Sequence, residues 1–142
     1  MRYIDTDVWI HSFVLQDKTK HLQANLIIEE VALENACTIS CLTLQEIVFV
    51  LGKLKMENDE IVEITRQLLN IHPLPCTANE LERAIILAKK IGFQHINDCI
   101  HTAIAEQFCD ELITYNKKVF SKIAPLTKLN IRILEEFLLK GI

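Results

Sequence analysis

The chain opens on Arg2-Tyr3-Ile4-Asp5-Thr6-Asp7-Val8-Trp9-Ile10, an apolar run that stops at an acid, a threonine and a second acid before an apolar, helix-like segment. That order constrains the fold strongly. A buried strand ends on a carboxylate when it reaches the carboxyl edge of a sheet and the chain turns straight into a helix. In open α/β sheets, ligands bind at such edges. An acid directly after a buried apolar triplet also needs a partner, because an unpaired buried charge is costly.

The rest of the chain repeats the alternation. Residues 2–5 read as a strand and residues 7–16 as a helix with Val8, Trp9, Ile10 and Phe13 on its buried side. A second helix is expected over residues 20–35, where Leu22, Leu26, Ile27, Ala32 and Leu33 recur at roughly helical spacing. Cys37-Thr38-Ile39-Ser40-Cys41-Leu42 alternates like a strand. Thr43-Leu44-Gln45-Glu46 then matches a Ser/Thr-x-x-Glu capping box and opens a helix. Another helix spans residues 58–70, with Ile61, Ile64, Leu68 and Leu69 inward.

His72-Pro73-Leu74-Pro75 reads as a brief strand, since each proline biases its predecessor away from helix. Thr77-Ala78-Asn79-Glu80 repeats the capping pattern and starts a helix through Ile91, with Leu81, Ala84, Ile85 and Ala88 on one face. Lys89 and Lys90 suit its C-terminal dipole, and Gly92 supplies the exit. Asn97-Asp98 opens a helix to Phe108 with Ile100, Ala103 and Ile104 inward. Leu112-Ile113-Thr114-Tyr115 is a strand ending at Asn116, Ile131, Ile133 and Leu134 mark a last strand, and residues 135–140 read as a final helical turn or two. Strands alternating with helices indicate a mainly parallel sheet covered on both faces. The expectation is one α/β domain over residues 1–142.

Composition narrows the function classes. With 142 residues, 50% of them hydrophobic, the chain can bury one substantial core. No apolar run approaches the roughly 18 residues of a membrane span, and Arg2 followed shortly by Asp5 and Asp7 argues against a secretory leader. A cytoplasmic protein is expected. Five cysteines without a Cys-x-x-Cys pair argue against a zinc site or disulfide framework, so they read as small buried hydrophobes. The net charge of -4 disfavours nucleic acid at first sight. That objection weakens where part of the negative charge is a cluster neutralised by metal.

Asp5, Glu46 and Asp98 fall at one kind of junction, strand ends and helix starts, which converge on one rim of a parallel sheet. Two unit charges about 4 Å apart repel by roughly 4 kcal/mol at an effective dielectric near 20. Carboxylates so placed take up protons or bind a cation, and an all-oxygen set suits a hard divalent ion. Each acid has a plainer role beside this one. Glu46 closes a capping box, Asp98 complements a helix dipole, and Asp7 reads as a helix N-terminal acid. Glu80 has the capping pattern without the strand end and serves as an internal control. His11, His72, His95 and His101 show no spacing that pairs them with a carboxylate and read as surface or packing residues.

With these residues in order, the chain resembles the PIN-domain family, specifically its small VapC-type toxins. Tyr3-Ile4-Asp5-Thr6-Asp7-Val8 is similar to the family's opening strand, where Asp-Thr-Asn-Val is commoner. Glu46 matches the second acid, and Asn97-Asp98-Cys99-Ile100-His101-Thr102-Ala103-Ile104-Ala105 resembles the Asp-Ala-x-Ile-Ala-x-x-Ala segment bearing the third. Leu112-Ile113-Thr114-Tyr115-Asn116-Lys117-Lys118-Val119-Phe120 resembles its Thr-x-Asp-x-x-Phe strand end, with Asn116 where many members carry a fourth acid. The resemblance implies a PIN-like fold with about four to five strands. It also implies a Mg²⁺- or Mn²⁺-dependent endoribonuclease acting on single-stranded RNA, restrained by an antitoxin and forming a homodimer.

On that reading Asp5, Glu46 and Asp98 hold the metal, and Thr6 and Thr114 hold the site by hydrogen bonds. Asn116 supports a water at the metal, and Lys117 and Lys118 either meet the RNA backbone or form a solvated helix start. Asn116 supplies no charge, which leaves the second metal ion open and admits an inert PIN-like RNA- or protein-binding module. Asp5-x-Asp7 also fits a haloacid-dehalogenase-type phosphatase, although that family puts Thr or Val where Trp9 stands.

Overall fold

In the computed structural model, which describes residues 1–135, Tyr3 and Ile4 are both fully buried. Successive strand residues face opposite sides of a sheet, so their strand, β1 (Arg2–Ile4), must be covered on two faces. The chain supplies that cover in order. It runs through α1 (Thr6–Phe13), α2 (Lys18–Leu33), β2 (Cys37–Thr38), α3 (Cys41–Lys53), α4 (Asn58–Leu69) and α5 (Ala78–Ile91). After a short 3-10 turn at Phe93–His95 come α6 (Ile96–Phe108), β3 (Glu111–Thr114), α7 (Lys117–Ile123), a second 3-10 turn at Ala124–Leu126 and β4 (Asn130–Ile133). Ile4 and Ile113 pack with Val8, Ile27, Ile47 and Leu68 on one side of the sheet. Tyr3 and Leu112 pack with Leu87, Ile104, Phe120 and Ile123 on the other.

The sheet has four parallel strands in the order β2-β1-β3-β4. From β1 the chain crosses to β2 on one side, and from β3 it crosses to β4 on the other, so the order reverses between β1 and β3. That is the switch point at which a crevice opens beyond the strand ends. Ile4 is in register with Ile113, and Thr114 with Ile133. Asp5 and the end of β3 therefore flank the crevice. Among the described residues, no helix is long and apolar enough to cross a membrane.

Several local expectations give way. β2 ends at Thr38, because Ser40 caps α3 by accepting from the Thr43 amide at 3.0 Å. The helix thus starts at Cys41, one turn before the Thr43 capping box, and Glu46 lies in its second turn. The strand expected at residues 72–75 shrinks to a single bridge between Ser40 and Leu74. Pro73 and Pro75 have no N–H with which to extend a ladder.

Two helices keep part of the expected face, with Ile27 of α2 and Ala84 and Ala88 of α5 buried, and turn the rest of it outward. Leu22, Leu26 and Leu33 were expected inward, yet they are 50%, 57% and 78% exposed, while Ala24, Ile27 and Val31 are buried. On α5, Ala84, Leu87 and Ala88 face the core and Leu81 and Ile85 face out. Leu69 and Ala32 also lie outward. In α2 and α5 apolar residues surround much of the helix, so periodicity alone leaves the phase open. All five cysteines are free, and Cys41 and Cys76 are exposed rather than buried. The helical turns expected over 135–140 fall almost entirely outside the described residues.

Candidate active site

Asp5 follows β1, and its own amide still donates to the Ile113 carbonyl at 2.9 Å, so its backbone is fixed by the sheet. Its side chain is the N-cap of α1. One carboxylate oxygen accepts from the Thr6 amide at 2.8 Å, and the other from the Thr114 hydroxyl at 2.7 Å. The acid is thus held between two strand ends at the positive end of a helix, where an anion is favoured.

Glu46 arrives from α3 and is met by three side chains from two other elements, α1 and α6. Its Oε1 accepts from the Thr6 hydroxyl at 2.6 Å and from His101 Nε2 at 2.7 Å, and its Oε2 from the Asn97 amide at 3.1 Å. Burial pushes its carboxyl up, but the hydrogen bond and charge of His101, helped by Thr6 and Asn97, outweigh this and leave it below its ordinary value. Asp98 stands in the first turn of α6 and is pushed up to about 6, first by burial and then by the charge of Asp5. Asp7 reaches back from α1 to the Tyr115 amide at 3.2 Å. Burial, followed by the Asp5 charge, pushes it up to about 8.

These groups line one cavity of about 650 Å³. Asp5, Thr6, Asp7, Glu46, Asn97, Asp98 and Asn116 supply polar lining, and Ile10, Leu42, Phe49 and Val50 apolar lining. Asn116 caps α7, its Oδ1 accepting from the Val119 amide at 3.3 Å. Lys117 and Lys118 are exposed in the first turn of α7 and do not line the cavity. Among the described residues, no three His, Cys, Asp or Glu side chains are drawn into a formed metal-binding cluster. The donor chemistry nonetheless suits a hard cation: oxygens only, with the charge of Asp5 raising both Asp7 and Asp98.

The histidine reading needs correction at one position. His101, expected at the surface or in plain packing, is 1% exposed and lies against the acids, its Nε2 also 3.9 Å from Asp5 Oδ1. Burial pulls its imidazole down, but Tyr3, Glu46 and Asp5 outweigh this and hold it well above 6.5. One sequence signal pointed there. His101 follows Asp98 by three residues, which places both on one face of a helix.

The PIN-domain family model matches residues 2–126, a span that includes β1, all three acids and the end of β3. The chain belongs to the PIN-domain family. The phosphatase reading of Asp5-x-Asp7 is thereby set aside. A comparison with curated protein sequences finds no match. Among solved structures, the PIN chain is similar to one from VapBC2 of Rickettsia felis, bound to a DNA fragment from its promoter. That match has 19% identity and a TM-score of 0.64, and covers 95% of this chain and 100% of the other. A toxin–antitoxin complex from Klebsiella pneumoniae matches at 23% identity and TM-score 0.62, covering 92% of this chain and all of that one. FitAcB from Neisseria gonorrhoeae matches at 16% identity and TM-score 0.64, covering 93% and 96%. At these identities the likeness is one of PIN fold.

Proposed function

We propose that this PIN-domain protein is a divalent-cation-dependent endoribonuclease that cleaves single-stranded RNA, acting in the cytoplasm as the toxin of a toxin–antitoxin pair. The observation that carries this reading is the gathering of Asp5, Asp7, Glu46 and Asp98 on one cavity at the switch point of the sheet. Asp5, Glu46 and Asp98 would hold Mg²⁺ or Mn²⁺. A bound ion of this kind supplies charge stabilisation at a phosphoryl oxygen and a more nucleophilic water.

The chain's own side chains do the rest. Thr6 and Thr114 fix Glu46 and Asp5 through their hydroxyls. Asn116 lines the cavity and would support a water there, while Lys117 and Lys118, exposed next to it in sequence, offer charge to backbone phosphates. Phe49, 65% exposed on the cavity wall with the Lys53 ammonium 5.5 Å from its ring centre, supports a single-stranded substrate. Such a ring gives a splayed base a face to stack on. The Klebsiella neighbour, a toxin–antitoxin complex, supports an antitoxin partner. The outward Leu81, Ile85 and Ile86 of α5 are apolar surface of the sort a homodimer would cover.

The test is cleavage of a single-stranded RNA of mixed sequence with Mg²⁺, Mn²⁺ or EDTA, by the native chain and by Asp5→Asn and Asp98→Asn. Cleavage that needs the ion and falls by about 100-fold or more in either variant is the expected result. Equal cleavage by native chain and variants would locate the activity elsewhere. The inert-module reading rests on Asn116, which brings no charge to the cavity and whose side-chain oxygen also caps α7. It would be favoured by RNA binding without cleavage under every condition.

A further inference from the structure

Tyr3, Ser40, Thr43 and His101 are polar side chains at most 1% exposed, packed where β1, the start of α3 and α6 meet. Those three elements deliver Asp5, Glu46 and Asp98. The Tyr3 hydroxyl lies 2.7 Å from Ser40 Oγ, 3.0 Å from Thr43 Oγ1 and 2.6 Å from His101 Nδ1. On the far side of the ring, Nε2 reaches Glu46 Oε1 at 2.7 Å. The relay crosses the core and ends on an acid of the cavity.

We propose that His101, set in place by Tyr3, is a positioning residue that fixes the Glu46 carboxylate for cation binding. The proposal rests on the reading of Glu46 as a ligand. Hydrogen-bond logic makes the orientation single-valued. In a neutral ring Tyr3 donates to Nδ1 and Nε2–H donates to Glu46; in a charged ring Nδ1–H donates to Tyr3, which donates onward to Ser40 or Thr43. Either way Nε2–H points at Glu46.

Two donors, His101 and Thr6, then occupy Oε1, while among the described residues Oε2 accepts only from Asn97. The larger share of spare acceptor capacity is left on Oε2. A role in packing alone is a weaker account, because an aliphatic side chain would fill the same space without a buried polar relay to satisfy. Partners that orient metal ligands are typically worth 10–100-fold in metal affinity.

The test uses the full chain with Mn²⁺ as probe, reading affinity from the paramagnetic resonance of free Mn²⁺ and folding from metal-free thermal unfolding. His101→Leu should weaken Mn²⁺ binding by about 10–100-fold. His101→Gln, whose amide can still donate, should recover part of the loss. Tyr3→Phe should weaken binding several-fold alone and add nothing to His101→Leu, since it acts through the ring. Unchanged affinity in folded His101→Leu, or in Tyr3→Phe should the leucine variant not fold, overturns the inference and leaves the nuclease reading standing. A native chain that binds no Mn²⁺ removes both.

Discussion

Thr43-Leu44-Gln45-Glu46 and Thr77-Ala78-Asn79-Glu80 carry the same four-residue signature and end in opposite circumstances. At the second, Thr77 is the residue before α5 and its hydroxyl donates to Glu80, three positions away. The main interaction is local, with Gln107 of α6 as a lesser partner of the Glu80 carboxylate. At the first, Ser40 has already capped the helix, so Glu46 is displaced into the second turn and released from the cap. Its three partners come from 40, 51 and 55 residues away. A local motif therefore sets only what a glutamate is able to do; whether a better cap stands one turn earlier sets what it does.

The sharpest way to break this comparison is to neutralise both acids in turn. Glu46→Gln should lower ion-dependent RNA cleavage by about 100-fold or more, while Glu80→Gln stays within about twofold of the native chain. Similar rates in the two variants would erase the distinction. The caps come next. Ser40→Ala should cost about 2 kcal/mol, the upper end for an N-cap, because the Tyr3 hydroxyl loses a partner as well as the Thr43 amide. Thr77→Ala, which caps no backbone amide through its side chain, should cost less than about 0.5 kcal/mol. Chemical unfolding of both variants reads the difference, and a Ser40→Ala cost no larger than that of Thr77→Ala would return the helix start to Thr43.

The smallest effect is in pH. The Thr77 hydroxyl is the main cause holding Glu80 below its ordinary 4.5. The folded chain thus binds fewer protons there than the unfolded one, and the resulting stability is present above pH 4.5 and lost as pH falls through the lower folded value. Thr77→Ala should flatten the fall in stability on acidification below that point, measured by unfolding at a series of pH values. An unchanged slope would mean that the pair does not hold together in solution.

Much of the fold was readable because alternating short apolar runs and helical segments leave few options other than a covered parallel sheet. Asp5 was readable for the same reason, as an acid ending a buried strand. The faces of α2 and α5 were not, since leucines and isoleucines occur around much of each helix and only tertiary packing selects a side. The segment at residues 72–75 misled because prolines favour extended backbone without being able to pair it. His101 was harder still. Its three-residue spacing from Asp98 hints at the site, but its partners Tyr3 and Glu46 lie 98 and 55 positions away, where no spacing reports a shared buried pocket.

The strand order has a consequence for how the protein comes into being. β1 lies between β2, which follows within the first forty residues, and β3, which ends at Thr114. During synthesis from the N-terminus, Asp5 must wait for a hydroxyl 109 positions downstream before its second oxygen is satisfied. A nascent chain halted before Glu111 already contains all three candidate acids, yet one flank of its central strand is bare. Whatever chemistry the crevice performs is therefore withheld until β3 has been made and has paired with β1.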